Sequence, residues 1–253
     1  MHLAHQLRDI EPSICTSRWS GHEHFRGYGV MVLPFSSGHL LGLRVFPQND
    51  FAPYHSVWHC TPGGRWTIYN DGPSLETTCP RWWGPALEHA ELNKIRVRWT
   101  GPNDLRIEMD QPRFRWTLTM KETPLLRMLN PLSASMPLST WRKKSTLRMR
   151  EWMAKNIFGM GNLKFSFTTP SGHQAIIMPQ RNYFIRHSEA SLEGHDLGIP
   201  IRLNNNPYIG DVPLPTRPVF IIGQAHAKIK DPEEYKKSRE LYQQNIRDHH
   251  DPV

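Results

Sequence analysis

Side chains alternate across a β-strand, and residues 95–120 alternate almost without a break. Ile95, Val97, Trp99, Leu105, Ile107, Met109, Phe114, Trp116, Leu118 and Met120 fall on one face, and Arg96, Arg98, Arg106, Glu108, Arg115, Thr117 and Thr119 on the other. Gly101-Pro102-Asn103-Asp104 and Asp110-Gln111-Pro112-Arg113 supply two turns. The pattern predicts a three-strand antiparallel meander with one wet face and one large apolar face. Such a face must be covered by a second sheet, by closure into a barrel, or by a ligand.

The same reading extends toward the N-terminus. Strands are predicted at 26–35, 39–46, 54–60 and 65–69, with turn signals at Ser36-Ser37-Gly38 and Thr61-Pro62-Gly63-Gly64. About seven strands thus precede residue 121 with no helical pattern between them, which favours an up-and-down sheet over a βαβ fold. The 22 prolines and 17 glycines fit short strands joined by tight loops. The pattern breaks at Pro124, and 125–138 is apolar and proline-punctuated. A basic helix is predicted from a cap at Ser139 or Thr140 to about residue 158, with Met149, Trp152, Met153 and Ile157 as one stripe. Shorter strands are predicted at 164–168, 174–178, 182–187, 199–203 and 219–227, as a second, smaller sheet or the completion of a larger sandwich. Asp231-Pro232-Glu233-Glu234 starts a helix expected to run to about 247, followed by a disordered His249-His250 tail. The expected class is all-β, an antiparallel barrel or sandwich with a second smaller β region, one central helix and one C-terminal helix. Its divisions are an N-terminal β domain at 1–123, a connection with the basic helix at 124–162, a second β region at 163–229, and a helix and tail at 230–253.

The three cysteines, Cys15, Cys60 and Cys79, match no zinc spacing, and the N-terminus has no apolar core of signal-peptide length. A reducing, cytoplasmic setting is the expectation. The net charge of +8 is expected to mark a solvated basic surface, since arginine occupies the wet positions of the meander. Nucleic-acid binding is not expected, because no helix-turn-helix, zinc-finger or RNA-binding signature is present. There is no phosphate loop, no dinucleotide fingerprint and no Gly-x-Ser-x-Gly elbow, so ATP and dinucleotide chemistry are not expected.

Three constellations bear on chemistry. On strand 54–60, period 2 puts His55, Val57 and His59 on one face and Ser56, Trp58 and Cys60 on the other; His55 and His59 lie about 13 Å apart along it, too far to share a metal. Each is a candidate base or hydrogen-bond donor, or an ordinary sheet histidine. His22-x-His24, joined by a sheet histidine, is a candidate three-histidine metal site. The connection after Tyr69 carries Asp71, Glu76, Cys79, Arg81, Trp82 and Trp83, two carboxylates beside a cation and two indoles. It reads either as a site at the open end of the sheet or as a plug over the core. The basic helix 140–158 is a candidate contact for a membrane surface or an acidic partner, or a core-packing helix with a solvated face. The C-terminal helix is a candidate oligomer contact.

The Trp-rich N-terminal β region, the Trp82-Trp83 loop, the meander and the late segment Gly194-His-Asp-Leu-Gly198 … Leu214-Pro-Thr-Arg-Pro-Val-Phe-Ile-Ile-Gly223 resemble the two-domain lipocalin-like proteins, the carotenoid 1,2-hydratase and Diels–Alderase-type cyclase group. The resemblance is one of architecture and implies a cofactor-free enzyme that hydrates, isomerises or cyclises a lipophilic small molecule in a β-barrel pocket. In that reading Asp71 or Glu76 is the acid, His55 or His59 the base or orienting donor, and Trp58, Trp66, Tyr69, Arg81, Trp82 and Trp83 bind the ligand. The alternatives are a non-catalytic carrier of an apolar ligand and a metal-dependent enzyme using the histidine cluster.

Overall fold

A computed structural model of the chain describes residues 3–8, 10–233, 235–237, 239–240 and 242. It begins with helix α1 (Leu3–Arg8) and strands β1 (Ser13–Ile14), β2 (His22–Pro34), β3 (Leu40–Asn49), β4 (Tyr54–Cys60) and β5 (Trp66–Asp71). A single helical turn, α2 (Pro80–Trp83), precedes β6 (His89–Leu92), β7 (Arg96–Trp99), β8 (Asp104–Met109) and β9 (Phe114–Lys121). Helices α3 (Pro124–Ser135) and α4 (Lys144–Asn156) follow, then β10 (Ser166–Thr168), β11 (Gln174–Leu192), β12 (His195–Asp196), β13 (Tyr208–Ile209), β14 (Val212–Pro213) and β15 (Val219–Lys228).

Thirteen strands make one curled, mostly antiparallel sheet in the order β6-β5-β4-β3-β2-β15-β11-β9-β8-β7, with β1 beside β3 and both β10 and β12 beside β11. A small second sheet pairs β13 with β14. The curl brings strands from both flanks onto one core: Val57 of β4, Ile107 of β8 and Phe220 of β15 share a cluster closed by Leu3 and Leu7 of α1. The fold is therefore a mostly-β half-barrel, compatible with a lipocalin-like architecture. Among the described residues no helix is long and apolar enough to cross a membrane.

The meander forms as the alternation requires. Leu105 faces Leu118, Ile107 faces Trp116 and Met109 faces Phe114 across β8 and β9, and all six are buried. Trp116 meets its polar need by donating to Ser188 Oγ at 2.9 Å.

Beyond residue 123 the structure departs from the local pattern in several places. The two strands expected at 174–178 and 182–187 are halves of the single 19-residue β11. Pro179 sits at a register shift between Pro179 and Arg181, where a bulge tolerates the missing N–H. β15 lies between β2 and β11, so the late strands complete the large sheet. Residues 199–203 form no strand; Pro200 makes one isolated bridge to Phe35. The apolar stretch after 123 is helix α3, because Thr123 caps it through Leu126 N and Pro124 occupies the first turn. The expected helix at 140–158 starts later, after a 3-10 turn at Leu138–Arg142, and carries no side-chain cap. Its stripe is turned around: Met149, Trp152 and Ile157 are exposed, while Leu147 and Ala154 are buried. The C-terminal helix falls largely outside the described residues, as do His249 and His250; the described positions from 232 to 242 are helical.

The face opposite the central core carries two further buried clusters. One gathers under the Trp82-Trp83 turn and the β13–β14 sheet. The other lies between the sheet and helices α3 and α4.

Candidate functional site

The sheet separates the residues that sequence reasoning grouped together. On β4, His55 and His59 lie on the inner face with Val57, while Ser56, Trp58 and Cys60 lie on the outer face. On β5, Tyr69 packs against the inner cluster, and Trp66 and Ile68 belong to the outer one. Asp71 stands opposite His55 in the β4–β5 ladder and accepts from Ile95 N at 2.8 Å. Burial lowers the His55 pKa, against the pull of Asp71, and its Nδ1 has no hydrogen-bond partner among the described residues. His59 meets His39 through a 2.8 Å Nε2–Nδ1 contact, and burial with the His39 neighbour lowers its pKa to about 4. Glu76 is exposed on its loop. Neither expected acid nor either expected base therefore faces the indoles.

Arg81 is an ion-pair partner of the fully buried Glu23, and its guanidinium lies 4.6 Å from the rings of both Phe51 and Trp82. His24 engages Cys15 Sγ at 3.2 Å and Gln224 Oε1 at 3.0 Å, so both its ring nitrogens are occupied, and His22 Nδ1 contacts the Ser20 carbonyl. Among the described residues no group of three or more His, Cys, Asp or Glu side chains is placed to hold a metal.

The outer face builds a different site. Trp58 stands edge-on to Trp66 and Trp83 with centroids 6.4 and 5.1 Å away, and Trp82 closes the same cluster beside Phe25. At its centre is Arg44, whose strand neighbours Leu43 and Val45 point into the inner core. The register of β2 against β3 shifts between Val30 and Leu33, which frees carbonyl oxygens that the ladder would otherwise use. Arg44 caps them: Nη1 donates to the carbonyls of Val30 and Leu43, and Nη2 donates to that of Met31 at 3.2 Å. Its guanidinium carbon is 4.5 Å from the Trp58 ring centre. Burial lowers the pKa of this cation to about 10, which still leaves it charged at neutral pH, and part of the side chain stays open to the cavities beside it.

Three cavities run along this face. Cavities of about 90 and 70 Å³ both touch Arg44 and Phe46. The larger, of about 210 Å³, lies between the sheet and the two helices and is lined by Leu126, Leu129, Met136, Met153, Phe158 and Phe165 among others. Met31 borders all three. The floor of the smallest is glycine: a Cβ at Gly29 would run into the Leu43 carbonyl oxygen, so the close approach of β3 excludes any side chain there. In the Trp-lined cavity Cys79 Sγ lies 3.4 Å from Tyr54 Oη and 3.5 Å from Ser56 Oγ. Burial raises the thiol pKa and pushes the phenol well above its ordinary value, so both stay protonated at neutral pH.

The sequence pointed to the indoles and to Cys79 but not to Arg44 or to the methionine-rich cavity. The available signal was a charged residue inside the apolar run Leu40-Leu-Gly-Leu-Arg-Val-Phe46. No family model, curated protein or solved structure matches this chain.

Proposed function

We propose that this protein binds a lipophilic small molecule in its outer-face cavities and takes it up from an anionic membrane surface through the gap between α3 and α4. The observation that carries the reading is the 210 Å³ apolar cavity whose wall residues Leu132 and Met149 are themselves exposed, 60% and 51%, so that its lining continues onto the surface. An apolar cavity of about 150 Å³ already stays dry and takes a benzene-sized guest. Binding is favoured over cofactor-free hydration, isomerisation or cyclisation of the kind found in the hydratase and cyclase group. Such chemistry needs an acid or base at the ligand. His55, His59 and Asp71 belong to the other face and Glu76 is exposed. In the Trp-lined cavity burial holds His226 at about 3, too low for an effective base near neutrality, and keeps Tyr54 and Cys79 protonated.

Titration calorimetry with N-phenylnaphthylamine, a neutral lipophilic probe, tests the reading. Wild-type protein is expected to bind about one equivalent. Leu129→Trp, which fills the cavity, is expected to weaken binding at least tenfold without lowering Tm, and Met153→Trp serves the same purpose if the first variant is unstable. Wild-type protein that ignores the probe, or filled variants that bind it unchanged, would overturn the proposal.

A further inference from the structure

We infer that the ligand carries a carboxylate, held by Arg44, with its apolar tail passing Met31 toward the cavity beneath α3 and α4. This rests on the cavity-binding reading above and adds the chemical class of the head group.

A guanidinium has five N–H donors. The carbonyls of Val30 and Leu43 take the Nη1 hydrogens and that of Met31 takes one from Nη2. One Nη2 hydrogen and the Nε hydrogen remain, with no partner among the described residues. The Nε and Nη2 side of an arginine matches the two oxygens of a carboxylate, and such paired, charge-assisted bonds are strong. The carbonyls stabilise the cation through their dipoles but supply no opposite charge. Among the described residues no Asp or Glu makes an ion pair with Arg44, whose only electrostatic neighbours are Cys79 and Tyr54. The polar groups closest in the same cavity, Tyr54 and Cys79, are held neutral. A buried charge without a counter-charge is costly, and a ligand that brings the missing anion recovers that cost on binding.

Capping of the β2 bulge alone would also explain an arginine here, but it uses only three of the five donors. A second cation, Arg150, borders the large cavity, donating to Ser133 Oγ at 3.0 Å and to Met136 Sδ. It stacks 3.7 Å from Trp141 and is less enclosed by protein than Arg44, but its Nε is sealed off with no hydrogen-bond partner among the described residues, so it does not offer a ligand the paired Nε and Nη2 edge. Arg44 keeps part of its surface open to the two small cavities, and its Nε is not among the sealed atoms, so its free edge is within reach of a ligand there.

The test compares lauric acid, methyl laurate and lauryl alcohol on wild-type protein by titration calorimetry at neutral pH. The acid is expected to bind at least about tenfold more tightly than the ester or the alcohol, the scale of one charge-assisted hydrogen bond in a dry site. Arg44→Gln is expected to erase that preference while keeping ester binding, and Arg150→Gln to leave it intact. If Arg44→Gln does not fold, the wild-type ladder of ligands still decides. Equal affinity for acid and ester would overturn the anchor and leave the cavity reading standing. Loss of the preference in Arg150→Gln, with Arg44→Gln unaffected, would overturn it in favour of a head group at the mouth. Binding of none of the three would overturn the inference together with the reading beneath it.

Discussion

Glu23 gives the protein a pH signature that one substitution isolates. Its carboxylate is fully buried, Oε1 takes the Arg81 guanidinium, and Oε2 has no hydrogen-bond partner among the described residues. Burial pushes its pKa up to about 7; Arg81 opposes the rise and Asp50 adds to it. Between the ordinary carboxyl value and about 7 the native state binds more protons than the unfolded chain, so this group's contribution to stability falls as pH rises through that window. His59 and His226, held to about 4 and about 3 by burial, work in the opposite sense: stability they contribute near neutrality is lost as pH falls. Glu23→Gln removes only the carboxyl term. It is expected to be more stable than wild type by an amount that grows from about pH 5 to about pH 8, on the order of 2 kcal/mol at the upper end. Urea denaturation of both proteins across that range measures it, and a pH-independent difference would reject the assignment. At this scale the sequence showed which strand residues share a face, since period 2 correctly divided His55 and His59 from Trp58. It did not show which face would carry cavities, because that depends on what later segments pack against each side. Arg44 was hidden for the same reason: an arginine on an alternating strand normally marks the solvent side, and only the β2 bulge supplies the carbonyls that let it turn inward.

Helix α3 is tied to the sheet by two polar side chains, Ser133 through the Pro179 carbonyl and Asn130 through Asn182. Asn130 donates to the Asn182 carbonyl at 3.1 Å and accepts from Asn182 N at 2.8 Å, so it pairs both backbone groups of a residue beside the β11 bulge. Its Nδ2 also reaches Glu122 Oε1 at 3.1 Å. Asn130→Ala leaves those half-buried backbone groups without the amide and is expected to cost about 1–3 kcal/mol. Chemical denaturation measures the loss, and amide exchange should locate the loosening in α3; a change below about 0.5 kcal/mol would mean that water or another side chain replaces the amide. The meander was legible because each strand buries one face against its neighbours in sequence, so local alternation carries the whole signal. The late strands were only partly legible. Pro179 reads as a break although the bulge absorbs it, and Pro124 reads as an interruption although it opens a helix behind the Thr123 cap. The α4 stripe shows the limit of periodicity: spacing identifies an apolar face but does not say whether protein or something else covers it.

That uncovered face decides how the molecule meets its surroundings. Of the ten exposed large hydrophobic residues among the described residues, six lie on α3, α4 or the position after α4: Leu125, Met128, Leu132, Met149, Trp152 and Ile157. Segment 124–158 also carries seven Lys or Arg side chains against a single acid, Glu151, which pairs with Lys164. A basic apolar surface of this kind fits an anionic lipid interface, where each nearby Lys or Arg adds about 1 kcal/mol and the aromatic and aliphatic groups enter the headgroup boundary. An acidic protein would pair the charges but leave most of the apolar side chains without a partner, so the composition favours lipid. Leu132 and Met149 of this patch also line the cavity, so the proposed uptake and membrane contact would share one surface. Wild-type protein is expected to co-sediment with phosphatidylserine-containing vesicles, much less with pure phosphatidylcholine vesicles, and to release as salt is raised. Trp152→Glu combined with Met128→Glu should abolish co-sedimentation at unchanged Tm while N-phenylnaphthylamine binding in solution persists, because neither residue lines the cavity. Retained vesicle binding by the double variant would move the membrane contact elsewhere. Equal binding to neutral and anionic vesicles would remove the electrostatic part of the argument and leave the apolar contact to account for docking alone.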